Sequence, residues 1–540
     1  MAVSVSKRNP KPSSREGNET MRHFPFGCLC RLLYRLPTAV LLLVLVFLWS
    51  STTTIISGNI VHVCVSTRKL QLNNLYCLSA GTQPNIKPFP VMKNFTLADN
   101  TVKEVADSVP ESHPVSIFRP NEHSARDEEI ENAARSIEEQ LELHRSWVAH
   151  SKERSCAGRG MFVYDLAPKF NKDLMAQCND MVSWMDLCKH MVNGGLGQPM
   201  PRLGNHWYQT HQYSLEPIFH SRALNHPCRV HNADQAKLFY VPFYGGLDIL
   251  RWHFKNVSDE VKDRLGLELV EWLKRQEPWT KNLGMDHVFV LGKISWDFRR
   301  TSGSLWGTRF LELDEMQNPI KLLIERQPWH ANDIGIPHPT SFHPHSDDDI
   351  RSWQQSVISS PRKNLASFAG AERQDAPENI RSVLIQQCRD SPSDCRFLDC
   401  RSGGCEQPEE VVQMFMESEF CLQPPGDSPT RKSLFDSLVS GCIPVVFDPF
   451  TAYYQYPWHL PEDRGRYSVY VDQEEVRQGK ANVVERLRKV SRQEKEDMRS
   501  YIVYELLPGL VYGDSDSKFE KFKDAFGIAV DNLLERASKL

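Results

Sequence analysis

One stretch, EFCLQPPGDSPTRKSLFDSLVSGCIPVVF from Glu419 to Phe447, constrains the fold of this chain more than any other. Residues 419–423 form a short apolar run, and PPGDSP then breaks it with residues that favour tight turns. Ser428 is positioned to cap a helix whose first residue is Pro429, a site where a missing amide hydrogen costs nothing. Leu434, Phe435, Leu438 and Val439 recur at helical spacing on one side, with Lys432, Ser433, Asp436, Ser437 and Ser440 on the other. Gly441 ends the helix, and CIPVVF reads as a strand apolar on both faces. The whole is a strand, loop, helix, strand unit of a parallel sheet.

Such a unit places a helix N-terminus at the carboxyl edge of a sheet, where free amides and the helix dipole favour phosphate. Gly426, Asp427, Ser428 and Thr430 line the loop, Arg431 and Lys432 add positive charge, and Asp436 is one turn further on, within reach of a ribose diol. A nucleotide diphosphate fits these features. The same pattern also describes an ordinary capped turn with a solvated outer face.

The 540 residues allow two or three domains, and a net charge of −4 gives no electrostatic case for nucleic acid. Residues 1–35 are polar and basic and read as a cytosolic tail. Residues 36–56, containing PTAVLLLVLVFLW, are long enough to span a bilayer as a signal anchor, and the basic residues before them set the N-terminus in the cytosol. A cleaved signal peptide is the other reading. Residues 57–155 fit a luminal stem, with a helix over 128–148 that forms either a dimer contact or a layer on the following domain. Asn94 and Asn256 head glycosylation sequons on the luminal side.

Of the 14 cysteines, all but Cys28 and Cys30 follow the anchor, which suits disulfides in an oxidising lumen better than zinc. Cys421 and Cys442 fall in core strands, where a buried structural role is expected. Beyond the anchor, short apolar runs alternate with helical stretches. MFVYDL, KLFYVPFY and HVFVLGKI read as strands before residue 300, Val261 to Leu273 reads as a helix, and a second set of strands begins at Asn364. Two consecutive α/β halves follow.

FCLQPPGDSPTRKSLFDSLVSGCIPVVF and the TAYYQYPWHLP that follows it resemble the exostosin-like glycosyltransferases, within them the plant xyloglucan galactosyltransferase clade. MFVYDLAPKFN, QYSLEPIFHSR, AKLFYVPFYGGLD, GMDHVFVLGKISWDFRR and LASFAGA match in the same order, so the resemblance runs from about Arg159 to the C-terminus. It implies two Rossmann-like lobes of the GT-B type, an acceptor lobe over 156–355 and a nucleotide-sugar lobe over 356–540, with an interlobe cleft and the final amphipathic helix returning to the first lobe. His211 stands where the clade's pattern suggests Asp or Asn, and Asp448-Pro-Phe follows CIPVVF; both departures touch substrate-facing loops.

The implied reaction moves galactose from UDP-galactose to xylosyl side chains of xyloglucan with inversion, in the Golgi membrane. Alternatives within the fold are a galacturonate or arabinose donor, or a mannan acceptor. An alternative of another class is a silent glycan-binding or scaffolding subunit, alone or complexed with other transferases. Inversion needs a base for the acceptor hydroxyl and positive potential for the departing diphosphate. Asp165 and Asp297 each follow an apolar strand at its carboxyl end, and Glu216 lies in a segment that the resemblance marks, which makes it the preferred base. No cofactor is expected, and no metal either, because the helix terminus and Arg431 supply the positive potential; Asp347, Asp348 and Asp349 read as a helix start.

Overall fold

The computed structural model describes segments 52–57, 60–66 and 75–80 by their backbone, and residues 122–540 apart from 150–155, 157, 183–184, 254, 302–303, 373–378 and 406, with side chains from Ile130 onward. The first segments form a unit of their own, an antiparallel sheet in the order β1 (Thr52–Ser57), β2 (Ile60–Ser66), β3 (Leu75–Ala80). This corrects the sequence reading at two points. Residues 52–56, the end of the expected anchor, are strand and not helix, in keeping with the β-branched run Thr-Thr-Thr-Ile-Ile. The expected stem also holds sheet rather than only polar chain. Residues 36–51 and Asn94 lie outside the described residues, and among those described no helix is long and apolar enough to cross a membrane.

The rest of the chain holds two parallel sheets. The first runs β5-β4-β6-β7-β8-β9, with β4 at Gly160–Val163, β5 at Arg229–Val230, β6 at Ala236–Val241, β7 at His287–Ile294, β8 at Ile320–Glu325 and β9 at Asp333–Gly335. The second runs β11-β10-β12-β13-β14, with β10 at Asn364–Gly370, β11 at Cys395–Asp399, β12 at Ser418–Gln423, β13 at Ile443–Val446 and β14 at Val469–Tyr470. Strand β7 shows why its sequence reads as continuously apolar. Phe289 and Leu291 enter one core while Val288 and Val290 enter another, so both faces are covered.

The helix on the second face is the last one. Ala525–Ala537 packs Phe526, Ala529, Val530 and Leu533 against Leu238, Tyr240 and Val290 of the first sheet, the return that the resemblance implies. The expected boundary at 355/356 falls inside a helix, Asp347–Ser359, which belongs with the second lobe: Trp353 Nε1 donates to Val439 O at 2.9 Å and Gln354 Nε2 to Val503 O at 2.8 Å. Its three aspartates stand in the first turn with different partners. Ser346 and Asp349 form a capping box, and Asp347 accepts from the amides of Glu520, Lys521 and Phe522.

The expected helix over 128–148 is Glu122–Arg145, and the C-terminal part of its apolar stripe, Ile137 and Leu141, faces the chain's own body while Ile130 is exposed. Leu141 and His144 are fully buried. His144 Nε2 donates to Ala331 O at 2.7 Å beside the first sheet, while Trp458 Nε1 from the second lobe donates to His144 O at 2.9 Å. The helix therefore straps both lobes. Disulfides join Cys156–Cys228, Cys178–Cys188, Cys388–Cys395, Cys400–Cys405 and Cys421–Cys442. The last pair extends the sequence reading, which placed both cysteines in the core without joining them.

Candidate functional site

The second lobe presents the loop between β12 and its helix. That helix spans Lys432–Val439, begins three residues later than expected, and has Arg431 at its N-cap with no side-chain cap. Ser428 is thus not the cap, and Pro429 is not the first helical residue. The cause is long-range: Thr430 is held in the loop by Glu325 at the end of β8, whose Oε2 accepts from the Thr430 amide at 2.9 Å and from its hydroxyl at 2.6 Å. Gly441 ends the helix with φ of 65°, in the left-handed region that favours glycine.

Positive charge converges on this loop. Arg381 Nε donates to Pro425 O at 3.1 Å, and Arg431 Nη1 reaches Pro424 O at 3.5 Å. A Cβ at Gly426 would stand 2.7 Å from Arg381 Nη2 and 3.4 Å from Arg431 Nη1, so glycine is what lets two guanidiniums close on the backbone. Lys432 pairs with Asp436 at 2.8 Å one turn along the helix. Burial raises the Asp436 carboxyl and Lys432 opposes that shift. Gln423, the last residue of β12, accepts from Ser433 Oγ at 2.6 Å, and its Nε2 is buried without a partner.

The first lobe presents the carboxyl ends of β7 and β8, which pair as Ile294 with Glu325. Burial raises the Glu325 carboxyl, while the bonds from Thr430 and Ser428 pull it back. Lys293 and Asp297 form a buried ion pair at 2.9 Å, and Trp306 Nε1 donates to Asp297 at 2.8 Å. The Lys293 ammonium lies 4.6 Å from the Tyr213 ring centre. Burial acts to lower the Lys293 pKa, but Asp297 and Tyr213 outweigh it and hold the ammonium above its ordinary range. His211 is held down at about 3 by burial, then by His190, by Lys432 of the second lobe and by Lys293 of the first. The His211 ring lies 4.8 Å from that of Tyr213, the ring that Lys293 also meets.

The three expected bases have separate partners and surroundings. Asp297 lies at the end of β7 as expected, but its partners are Lys293 and Trp306, whereas Arg299 pairs with Asp333 at 2.8 Å. Asp165 is exposed, past the end of β4. Glu216 is fully buried: Oε1 accepts from Gly246 N at 2.6 Å and Gly292 N at 3.0 Å, and Oε2 from Leu247 N at 3.4 Å. Gly246 and Leu247 are first-turn amides of the Gly245–Trp252 helix, so Glu216 fills a helix N-terminus with its own chain's carboxylate. Burial pushes its pKa up to about 8 against the pull of those amides. Sequence reasoning missed Lys293, Glu325, Arg381 and Gln423. Lys293 and Glu325 each carried a signal, a charged residue at the end of a mainly apolar strand.

The description "Exostosin GT47 domain" fits residues 155–488. The chain belongs to this exostosin family. Across 100% of its length and 96% of the relative's, it is 48% identical to the xyloglucan-specific galacturonosyltransferase 1 of Arabidopsis thaliana. It is 52% identical to the probable xyloglucan galactosyltransferase GT20 of the same plant, covering 99% of each chain. Identity to the Arabidopsis xyloglucan galactosyltransferase MUR3 is 40%, over 72% of this chain and 64% of that one. As a member of the exostosin family this protein is a glycosyltransferase, in the group whose named members act on xyloglucan. The family match begins at residue 155, so the strapping helix precedes it.

Proposed function

We propose that the protein transfers galactose from UDP-galactose to xylosyl side chains of xyloglucan with inversion, as a GT-B type enzyme. The observation that carries this reading is the convergence of Arg381 and Arg431 on Gly426 at the start of the Lys432–Val439 helix. Two guanidiniums and a helix dipole supply the potential a departing diphosphate needs, so the reaction proceeds without a resident metal or cofactor. Gly426, Asp427, Ser428 and Thr430 shape the donor loop, Lys432 adds charge, and Asp436 takes the ribose diol. Asp297 serves as the base, because it follows the carboxyl end of β7 with an ammonium and an indole orienting it. Glu216, the base preferred from sequence, instead holds the Gly245–Trp252 helix against β7.

The five disulfides support a luminal body, and Asn256 is exposed where a glycan needs access. We place that body on the luminal side of the Golgi membrane behind an anchor within residues 36–51, ahead of β1. A second reading, galacturonate in place of galactose, is favoured by the full-length likeness to the galacturonosyltransferase. The test is UDP binding by the purified protein and by Arg431→Ala. Binding weakened more than roughly tenfold by the substitution supports the donor site, and equal binding contradicts it.

A further inference from the structure

Among the described residues the exposed tryptophans are three: Trp296 at 49%, Trp306 at 43% and Trp329 at 53%. All three follow the carboxyl ends of two adjacent strands. Trp296 is two residues past β7, Trp306 is bonded to its neighbour Asp297, and Trp329 is four residues past Glu325, the end of β8. Leu305 beside them is 84% exposed. Each tryptophan carries an apolar surface of order 150–250 Å² that folding ordinarily removes from water. Leaving three of them on one sheet edge marks a surface that meets a partner.

The chemistry of the surroundings identifies that partner. Trp306 is continuous with the candidate site, since its indole reaches Asp297 and its ring lies 5.9 Å from the Lys293 ammonium. Around Trp306 stand polar groups, Asp297, Lys293 and His253, rather than a continuous apolar surface. Flat rings with hydrogen-bonding groups beside them match a sugar chain, whose axial C–H faces stack on indoles while its equatorial hydroxyls bond to polar neighbours.

We infer that Trp296, Trp306 and Trp329 form a platform for a β-glucan backbone, holding several sugars of the acceptor while one branch enters the cleft beside Asp297. The platform rests on the acceptor reading above and adds to it a requirement for chain length. Its occupant is the polymer backbone and not the nucleotide sugar.

The experiment measures dissociation constants of the full chain for soluble xylosylated β-glucan polymer, for a short oligosaccharide of the same chemistry, and for UDP. The Trp296→Ala, Trp329→Ala double variant is expected to bind polymer roughly tenfold more weakly, with UDP affinity unchanged as the control for folding. The Trp296→Phe, Trp329→Phe variant, which keeps flat rings, restores most of the loss. Polymer affinity equal to wild type in the alanine variant overturns the platform. So does a change in sedimentation instead of glycan affinity, which would assign the patch to self-association. Wild-type protein that binds UDP but no polymer also overturns it, whereas wild-type protein that binds polymer but no UDP contradicts the donor reading alone.

Discussion

Glu325 and Thr430 meet across the two lobes: one carboxylate oxygen accepts both the amide, at 2.9 Å, and the hydroxyl, at 2.6 Å, of a residue 105 positions away. Glu325 is 3% exposed and Thr430 6%, so the bond is shielded from solvent. Thr430→Val keeps the shape and removes one of the two donors. A buried acceptor deprived of a partner costs about 1–3 kcal/mol, so denaturant unfolding is expected to show a loss of that size. An unchanged midpoint would mean the lobes do not meet here in solution.

Asp297 and Glu216 separate in one pair of assays. Asp297→Asn is expected to cut the turnover of the folded protein by roughly 10²-fold or more, as removal of a proton acceptor does, and also to lower the thermal midpoint, because the buried Lys293 ammonium loses its counter-charge. Glu216→Ala leaves the amides of Gly246 and Gly292 without their acceptor and is expected to lower the thermal midpoint first. Turnover abolished in Glu216→Ala at full stability would return the base to Glu216.

Acid should loosen the strap. His144 donates through Nε2 to Ala331 O, so Nδ1 is the acceptor facing Arg326 Nη1 at 3.4 Å. Burial, and then the Arg326 charge, hold its pKa at about 3 against an ordinary 6.5. The depressed value means that the unfolded or undocked chain binds the proton more readily. The contribution is therefore full above 6.5 and is lost as pH falls toward 3. His211 and His338, both held at about 3, act in the same sense. Thermal midpoints measured between pH 7.5 and 4.5 are expected to fall with acid, and His144→Gln should flatten part of that slope. A pH-independent midpoint would count against a neutral, buried His144.

Cys421 and Cys442 tie the end of β12 to the start of β13 on either side of the donor loop and helix. Closing a loop of this size stabilises by about 3 kcal/mol in the chain-entropy account. The double serine variant is expected to lose stability of that order and to bind UDP more weakly. Unaltered UDP affinity at reduced stability would show that the bridge supports the fold without shaping the site.

The sequence displayed the fold well because parallel strands buried on both faces are continuous apolar runs, and HVFVLGKI is β7 from end to end. Loop geometry was less legible. The helix start at Lys432, in place of Pro429, depends on Glu325, which is far away in sequence. Arg381 carries no local signal, since a lone arginine near a helix start is ordinary until Gly426 is placed against it. Glu216 drew attention through its motif, but only the fold shows that its oxygens are consumed by backbone amides.

The most direct measurement is a transfer assay with the purified full chain, offered UDP-galactose, UDP-galacturonate or UDP-arabinose with xylosylated glucan, with and without EDTA. Galactose transferred to xylosyl branches at an undiminished rate in EDTA is the predicted result. Galacturonate transfer would keep the site and change the donor, whereas no transfer from any of the three, by a protein that still binds the glucan, would contradict the central claim.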